Sequence, residues 1–403
     1  MTDLSPRIAD LAFADISSIG GIESGTRRRL KFLSSNKIII YGIYLSPYNI
    51  NILNEHEILT EVKCFFLLNI KKSLLKSPLV NRSINISLTI LYILFLKFFY
   101  KVNIFHCHDL YCGFSCAIVK GIFPKTKFFV TWHGPASYEL INFRPKSRIF
   151  KNNQIKLKYR LFVAIYIFME KVVCTRTNRN MAISEFEKDY FENLTNSKID
   201  ILVIRNSVDI NKFKPENITL DEIPKNRIII TFIGRLEQKN SPDILLNSIP
   251  FLKDYIHEIF FIIVGSGYLE NELKTYVNQN NYQNFVSFLG MRYDVDKILK
   301  VSDIFVSHCS SLVEGIGNNV IEAIATGIPC IIGYDNINNR IFKTDYNAIL
   351  VEKDNPKAVA DAVIKLIKNK QMLKKISQNS RALALQEFSI DSNLNKMLEI
   401  ILS

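Results

Sequence analysis

The sequence has no internal repeat and no low-complexity tract, which excludes a repeat array or a compositionally biased linker protein. Paired cysteines are missing as well. The 7 cysteines are odd in number and irregularly spaced, so no disulfide framework is expected and a reducing compartment fits. No secretory signal is expected at the N-terminus, because Met1–Ala12 carries Asp3, Arg7 and Asp10. No apolar run reaches the ~20 residues of a spanning helix. The strongest, Ile84–Tyr100, is interrupted by Asn85, Ser87, Thr89 and Lys97 and reads as a buried or surface-lying helix. Ser-His-Asp, P-loop and G-x-G-x-x-G patterns are also absent.

Acidic residues are scarce in one half only. Residues 1–175 hold 24 Lys/Arg against 10 Asp/Glu, a net +14, whereas residues 176–403 hold 27 against 28, a net −1. The whole excess lies in the first half and points to an anionic partner there. A chain of 403 residues predicts two domains. Apolar runs at 8–16, 37–45, 103–107, 128–131, 181–184 and 199–204 read as strands separated by helical stretches. The same alternation resumes at 227–233, 258–264, 286–289, 304–306 and 329–333. Helices are expected over 242–252, 356–369 and 371–386. This alternation predicts doubly wound parallel sheets.

The most informative stretch is Asp303–Pro329. An apolar strand leads to Glu314, then to the small turn Gly315-Ile316-Gly317-Asn318, then to a helix carrying Glu322 and stopped by Gly327-Ile328-Pro329. Such a loop lies in the crevice where open α/β sheets bind ligands. The helix start offers N–H groups and a positive dipole end to phosphate or sugar oxygens. A carboxylate can clamp vicinal hydroxyls. The pattern E-G-x-G-x-x-x-x-E-A-x-A-x-G-x-P resembles the signature of family 4 retaining glycosyltransferases (glycosyl transferases group 1) of GT-B fold. Arg205-Asn206-Ser207-Val208-Asp209 with Phe213 resembles that family's P-N-G-V-D-x-x-x-F segment, with Arg205 and Ser207 in place of Pro and Gly.

The resemblance implies an α/β GT-B fold, two Rossmann-like domains facing across a cleft. Residues 1–205 would form the acceptor side and 206–385 the nucleotide-sugar side, with 386–403 a helix crossing back. It assigns the donor-sugar hydroxyls to Glu314 and the ribose to Glu322. The diphosphate falls to Arg235 and Lys239, with amides near Gly20-Gly21 and Gly317-Asn318. His133 is placed against the transferred sugar and Met291-Arg292 beside the base. Lys239 follows Arg235 by four residues, where the family shows five. Front-face attack assisted by the leaving phosphate would explain retention, so no nucleophile or protein base is assigned.

His106-Cys107-His108 with Cys112 and Cys116 fits no zinc spacing, because His106 and His108 share one strand face and Cys107 the other, so no metal site is expected. Asp294-Val295-Asp296 is read as a helix N-cap. The basic stretch Asn142–Arg160, carrying Arg144, Lys146, Arg148, Lys151, Lys156, Lys158 and Arg160 and no acid, is read as facing an anionic membrane or phosphorylated lipid, with Lys71, Lys72 and Arg82 nearby. The expected function is a hexosyltransferase acting in cell-surface polysaccharide or lipopolysaccharide biosynthesis. Its donor would be a nucleotide-sugar, UDP favoured over GDP, with no further cofactor. It would act on a glycan or lipid-linked acceptor at the cytoplasmic face of the membrane. The rivals are a GT-B nucleotide-sugar epimerase and a basic nucleic-acid-binding protein.

Overall fold

The structure, a computed structural model, describes residues 6–12, 21–36, 38–45, 63–67, 78–142, 150–151, 154–155, 157–307, 316–335 and 337–403. The chain forms two compact units. One comprises Met1–Arg205 with Leu394–Ser403, and the other Asn206–Asn393.

In chain order the first unit contains β1 (Arg7–Leu11), α1 (Gly21–Ser35), β2 (Ile39–Leu45), β3 (Lys63–Leu67), α2 (Pro78–Phe99), β4 (Ile104–Cys107), α3 (Leu110–Ile122), β5 (Lys127–Trp132) and α4 (Ala136–Asn142). A small antiparallel pair follows, β6 (Phe150–Lys151) and β7 (Gln154–Ile155), then α5 (Leu157–Arg176), β8 (Arg179–Ala182), α6 (Glu185–Leu194) and β9 (Ile201–Val203). Seven strands pair in parallel in the order β3-β2-β1-β4-β5-β8-β9. Strand parity sorts their side chains. Ala9, Leu11, Phe105 and Cys107 enter one apolar core with residues of α2, α3 and α5. Asp10 and His106, register partners on β1 and β4, point to the other face, where α1 brings Arg29. Strand β3 is absent from the sequence reading. Its one described run, Lys-Cys-Phe-Phe-Leu, offers five residues and no alternation.

The second unit contains β10 (Ile228–Ile233), α7 (Pro242–Asn247), β11 (Ile259–Val264), α8 (Glu270–Gln279), β12 (Val286–Gly290), α9 (Val295–Lys300), β13 (Ile304–Ser307) and α10 (Asn318–Thr326). Then come β14 (Cys330–Gly333), α11 (Asn338–Ile341), β15 (Ile349–Val351), α12 (Pro356–Lys368) and α13 (Lys370–Glu387). Its six-stranded sheet runs β12-β11-β10-β13-β14-β15 and is parallel throughout. Ile230 and Phe232 of β10 enter one core and Ile229 and Ile233 another, so both faces are covered. That explains why these strands read as unbroken apolar runs. The helix expected over 242–252 is two pieces. The α-helix ends at Asn247 and a 3-10 turn spans Ile249–Leu252, because Pro250 cannot supply the N–H that a continuing helix needs.

The last helix, α14 (Ile390–Leu402), starts within the second unit, and its residues from Leu394 belong to the first. There Lys127 Nζ donates to the Ser403 carbonyl at 3.1 Å. Arg205, standing where the resembled family has proline, forks onto Glu185 at 2.9 and 2.7 Å.

Candidate active site

Each sheet reverses its winding at one point, and ligands of open α/β sheets bind outside the carboxyl ends of the strands there. In the first unit this point lies between β1 and β4, and in the second between β10 and β13. The two sites are built from different chemistry.

In the first unit Asp10 is fully buried and gripped by Arg29, Nε to Oδ2 at 2.7 Å and Nη2 to Oδ1 at 3.0 Å. Burial alone would raise the Asp10 carboxyl, but Arg29 and His108 outweigh it and hold the group well below the usual carboxylate range. His108, just past β4, places Nε2 3.1 Å from Asp10 Oδ2, and its Nδ1 lies 3.3 Å from His133 Nε2. Burial and the Arg29 charge lower His108 to about 4, against the pull of Asp10. Burial, His108 and Arg29 likewise keep His133 well below the ordinary histidine range. His133 follows β5 and retains part exposure. The turn beyond it needs Gly134, whose φ of 140° is costly for any side chain with a Cβ. The neighbouring Asp109 caps α3, accepting from the Tyr111 and Cys112 amides at 2.8 and 2.9 Å.

The face assignment made for 106–108 holds. The His106 and His108 rings lie 4.1 Å apart, while Cys107 turns away and meets Cys116 Sγ at 3.2 Å. Asp10, His106 and His108 offer ligand atoms within 4.8 Å of one another. A dication there would face the Arg29 guanidinium, which already occupies both Asp10 oxygens, so the arrangement argues for a hydrogen-bond chain rather than a metal centre. Asp10 and Arg29 escaped the sequence reading. The available signal was an acid in the middle of an apolar central strand.

In the second unit the loops after β10, β11 and β12 are joined by backbone bonds, Leu236 N to Ser266 O at 2.9 Å and Gly265 N to Gly290 O at 2.7 Å. This close approach requires Gly267 as well as Gly265, since a Cβ on Gly267 would lie 2.3 Å from the Leu236 carbonyl oxygen. Neither was singled out from sequence. Arg235 and Lys239 both reach solvent from this loop, Arg235 resting 3.3 Å from Glu237. The start of α10 abuts it. Asn319 donates to the Ile233 carbonyl at 2.6 Å and to Ser307 Oγ at 3.1 Å, pinning the helix start to the ends of β10 and β13. Gly317 is the extended N-cap, Asn318 the first helical residue, and Glu322 half-buried on the second turn. The helix start carries a positive dipole end, with the Val320 amide spent on the Gly317 carbonyl at 3.0 Å.

Met291 is exposed beside this cluster. Arg292 is committed elsewhere, to Asp294 at 2.8 Å twice and to Glu222 at 2.7 Å. That corrects the N-cap reading of Asp294. It stands at the cap position of α9 but its carboxylate takes the arginine fork instead of a helix amide, and the charge-assisted pair is the stronger bond. Gly21 is the first residue of α1. Glu314, Gly20 and Gly315 lie outside the described residues, as do Lys71 and Lys72 and most of 142–156.

Comparison with known proteins bears on the family and the fold. Residues 70–212 match the model of Glycosyltransferase Family 4 and residues 213–383 that of Glycosyl transferases group 1. The Escherichia coli UDP-Gal:alpha-D-GlcNAc-diphosphoundecaprenol alpha-1,3-galactosyltransferase is 29% identical over 246 residues, 59% of this chain and 63% of that enzyme. The match thus spans less than two thirds of that relative. The uncharacterized glycosyltransferase MJ1069 of Methanocaldococcus jannaschii is 27% identical over 69% of this chain and 68% of its own length. Among solved structures, Anabaena HepE in complex with UDP and glucose superposes with a TM-score of 0.74 at 16% identity, covering 98% of this chain and 99% of that one. Sucrose-phosphate synthase from Thermosynechococcus elongatus gives 0.77 at 13% identity, covering 98% of each chain. The two family models adjoin at residue 212 and together cover four of the seven strands of the first sheet and all six of the second: the chain belongs to the family 4, group 1 glycosyltransferases and has their GT-B fold.

Proposed function

We propose that this protein transfers a hexose from a nucleotide-sugar to a glycan or lipid-linked acceptor, with retained configuration, in polysaccharide or lipopolysaccharide synthesis. The observation that carries the reading is the β10/β13 switch point. There the solvent-facing cations Arg235 and Lys239 share a crevice mouth with the start of α10. A departing nucleoside diphosphate develops negative charge, and two cations with a helix start are suited to stabilise it. In this reading Glu322 clamps the ribose, Glu314 the sugar hydroxyls, and His133 contacts the transferred hexose. Amides near Gly20-Gly21 and Gly317-Asn318 assist the diphosphate, and Met291-Arg292 border the base through the backbone. No cofactor beyond the donor is assigned. UDP is favoured as the carrier, supported by the UDP-Gal enzyme and the UDP-bound HepE among the similar proteins.

The acceptor side is proposed to work at an anionic membrane face of the cytoplasm. The described surface of the first unit supports this. Leu91, Phe95, Phe98 and Phe99 form an outward stripe on α2, and Leu161, Ile165 and Phe168 another on α5. Both helices pack against α3 between them. The acid on these three helices, Glu170, is buried against Ser137, whereas Arg160, Lys171 and Arg176 are exposed. Apolar stripes bordered by cations alone fit a surface of anionic lipid headgroups. Among the described residues no helix is long and apolar enough to cross a membrane.

A thermal-shift panel with UDP, GDP, ADP and TDP tests the nucleotide reading. UDP at ~100 times its dissociation constant should add about 2.7 kcal/mol of stability. A protein unmoved by all four nucleotides is not a nucleotide-sugar transferase of this kind.

A further inference from the structure

We propose that Asp10, Arg29 and His108 form a positioning chain that fixes the tautomer of His133, so that His133 offers Nδ1 as a hydrogen-bond acceptor to a sugar hydroxyl. The inference rests on the reading that His133 touches the transferred hexose.

The assignment follows from donor and acceptor inventory along the chain. Arg29 forks both oxygens of Asp10, so the carboxylate is ionised and can only accept. His108 Nε2, 3.1 Å from the same carboxylate, therefore carries its hydrogen. A neutral imidazole has one N–H, which leaves His108 Nδ1 bare and an acceptor. His133 Nε2 faces that lone pair at 3.3 Å and must be the donor. The second nitrogen of His133 is then also bare, and no hydrogen bond joins it to another described residue. The acceptor character of a buried carboxylate is thus passed through two rings to a part-exposed edge. His106 lies beside the chain without entering it. Its Nε2 meets Thr131 Oγ1 at 2.8 Å and its Nδ1 stays 4.0 Å from Asp10.

The consequence is selectivity at one edge. A bare Nδ1 accepts a hydroxyl hydrogen and repels phosphate oxygens. The opposite tautomer, or an imidazolium, would present an N–H that donates to a phosphate oxygen and a hydroxyl oxygen alike. The hydrogen-bond chain therefore commits the free edge of His133 to hydroxyls.

The test uses the full-length protein with 15N-labelled histidine. Two-bond 1H–15N spectra at pH 7.5 should show His108 and His133 each protonated at Nε2 only, with signals assigned by His108→Asn and His133→Gln. Asp10→Leu with Arg29→Met removes both charges together and leaves no buried ion unpaired. This pair should mix the His133 tautomers and lower kcat about tenfold for UDP release from UDP-galactose or UDP-glucose, with donor KM within about twofold. His108→Asn keeps a carbonyl acceptor near the Nδ1 position and should retain the His133 signature and most of kcat, whereas His108→Phe should lose both. These two variants decide the matter if the charge pair fails to fold. A proton on Nδ1 of either ring in the unmodified protein overturns the chain, as does a His108→Phe variant with unchanged signature and kcat. Full turnover by His133→Gln beside the expected spectra overturns the sugar contact instead.

Discussion

A Cβ placed on Gly265 would sit 1.9 Å from the carbonyl oxygen of Gly234, so the loops ending β11 and β10 touch backbone to backbone. Gly265 also has a φ of +128°. Gly265→Ala should therefore cost about 3 kcal/mol and push the Arg235 loop away from its position. Gly290 is the contrast. Its φ is +65° but nothing lies within 4 Å of an added Cβ, and asparagine tolerates that backbone region. Gly290→Asn should cost under about 1 kcal/mol. Urea denaturation of the two variants reads both values, and equal midpoints would contradict the pinched-loop geometry.

Arg235 is exposed and leans on Glu237, so removing it should leave stability within about 0.5 kcal/mol. Its charge is needed most as the sugar–phosphate bond breaks. Arg235→Ala should lower kcat at saturating donor more than tenfold, an outcome worth about 1.4 kcal/mol. Glu322→Ala should instead weaken donor binding by roughly 1.5–3 kcal/mol, the loss of a charge-assisted hydrogen bond. Calorimetric titration with the donor and steady-state kinetics separate the two. A raised KM with normal kcat for Arg235→Ala would make it a ground-state ligand.

Glu187 gives a pH signature. It forms the capping box of α6 with Ser184, whose hydroxyl also takes the Phe186 amide at 3.2 Å. Burial raises its carboxyl to about 7, against the hydrogen bonds from Ser184 and the backbone. The folded state then holds this proton more tightly than the unfolded state. Below the unfolded value both states are protonated and nothing is lost. As pH rises from about 4.5 to 7 the unfolded chain ionises first, so stability falls, by at most about 3 kcal/mol. Glu187→Gln should melt like the parent protein at pH 5 and above it at pH 8. A constant difference across that range would remove Glu187 as the source.

The apolar stripes make the membrane reading measurable. Leu91, Phe99, Leu161 and Phe168 are 62, 76, 64 and 61% exposed, so replacing all four with Ser should not lower the melting temperature. It should abolish sedimentation with phosphatidylglycerol vesicles. The parent protein should sediment with these vesicles more than with phosphatidylcholine, and should retain part of its binding in high salt, since apolar insertion is not screened. Undiminished sedimentation of the fourfold variant would exclude this face.

The order of strands and helices was legible because each is a local pattern. The apolar runs at 227–233 and 258–264 mark strands buried on two faces, and Gly327 with Pro329 marks the end of α10. The spacing of Glu314, Gly317 and Glu322 named the family from sequence alone, since a strand-turn-helix site occupies one short segment. The place of Arg235 and Lys239 on the exposed segment after β10 was legible for the same reason. Helix 242–252 was misread because one proline outweighs the apolar pattern on both sides of it.

What only the tertiary structure decided lies between residues distant in the chain. Asp10 reads as an interruption of a strand until β1 pairs with β4 and the crossover α1 returns Arg29 to the same face. His108 and His133 stand 25 positions apart and meet because their strands are neighbours in the sheet. The commitment of Arg292 to Glu222 likewise spans 70 positions. Periodicity fixes which way a side chain points along its own element. Which partner it finds, and so which proton it holds, depends on strand order, and that is set by packing of the whole sheet.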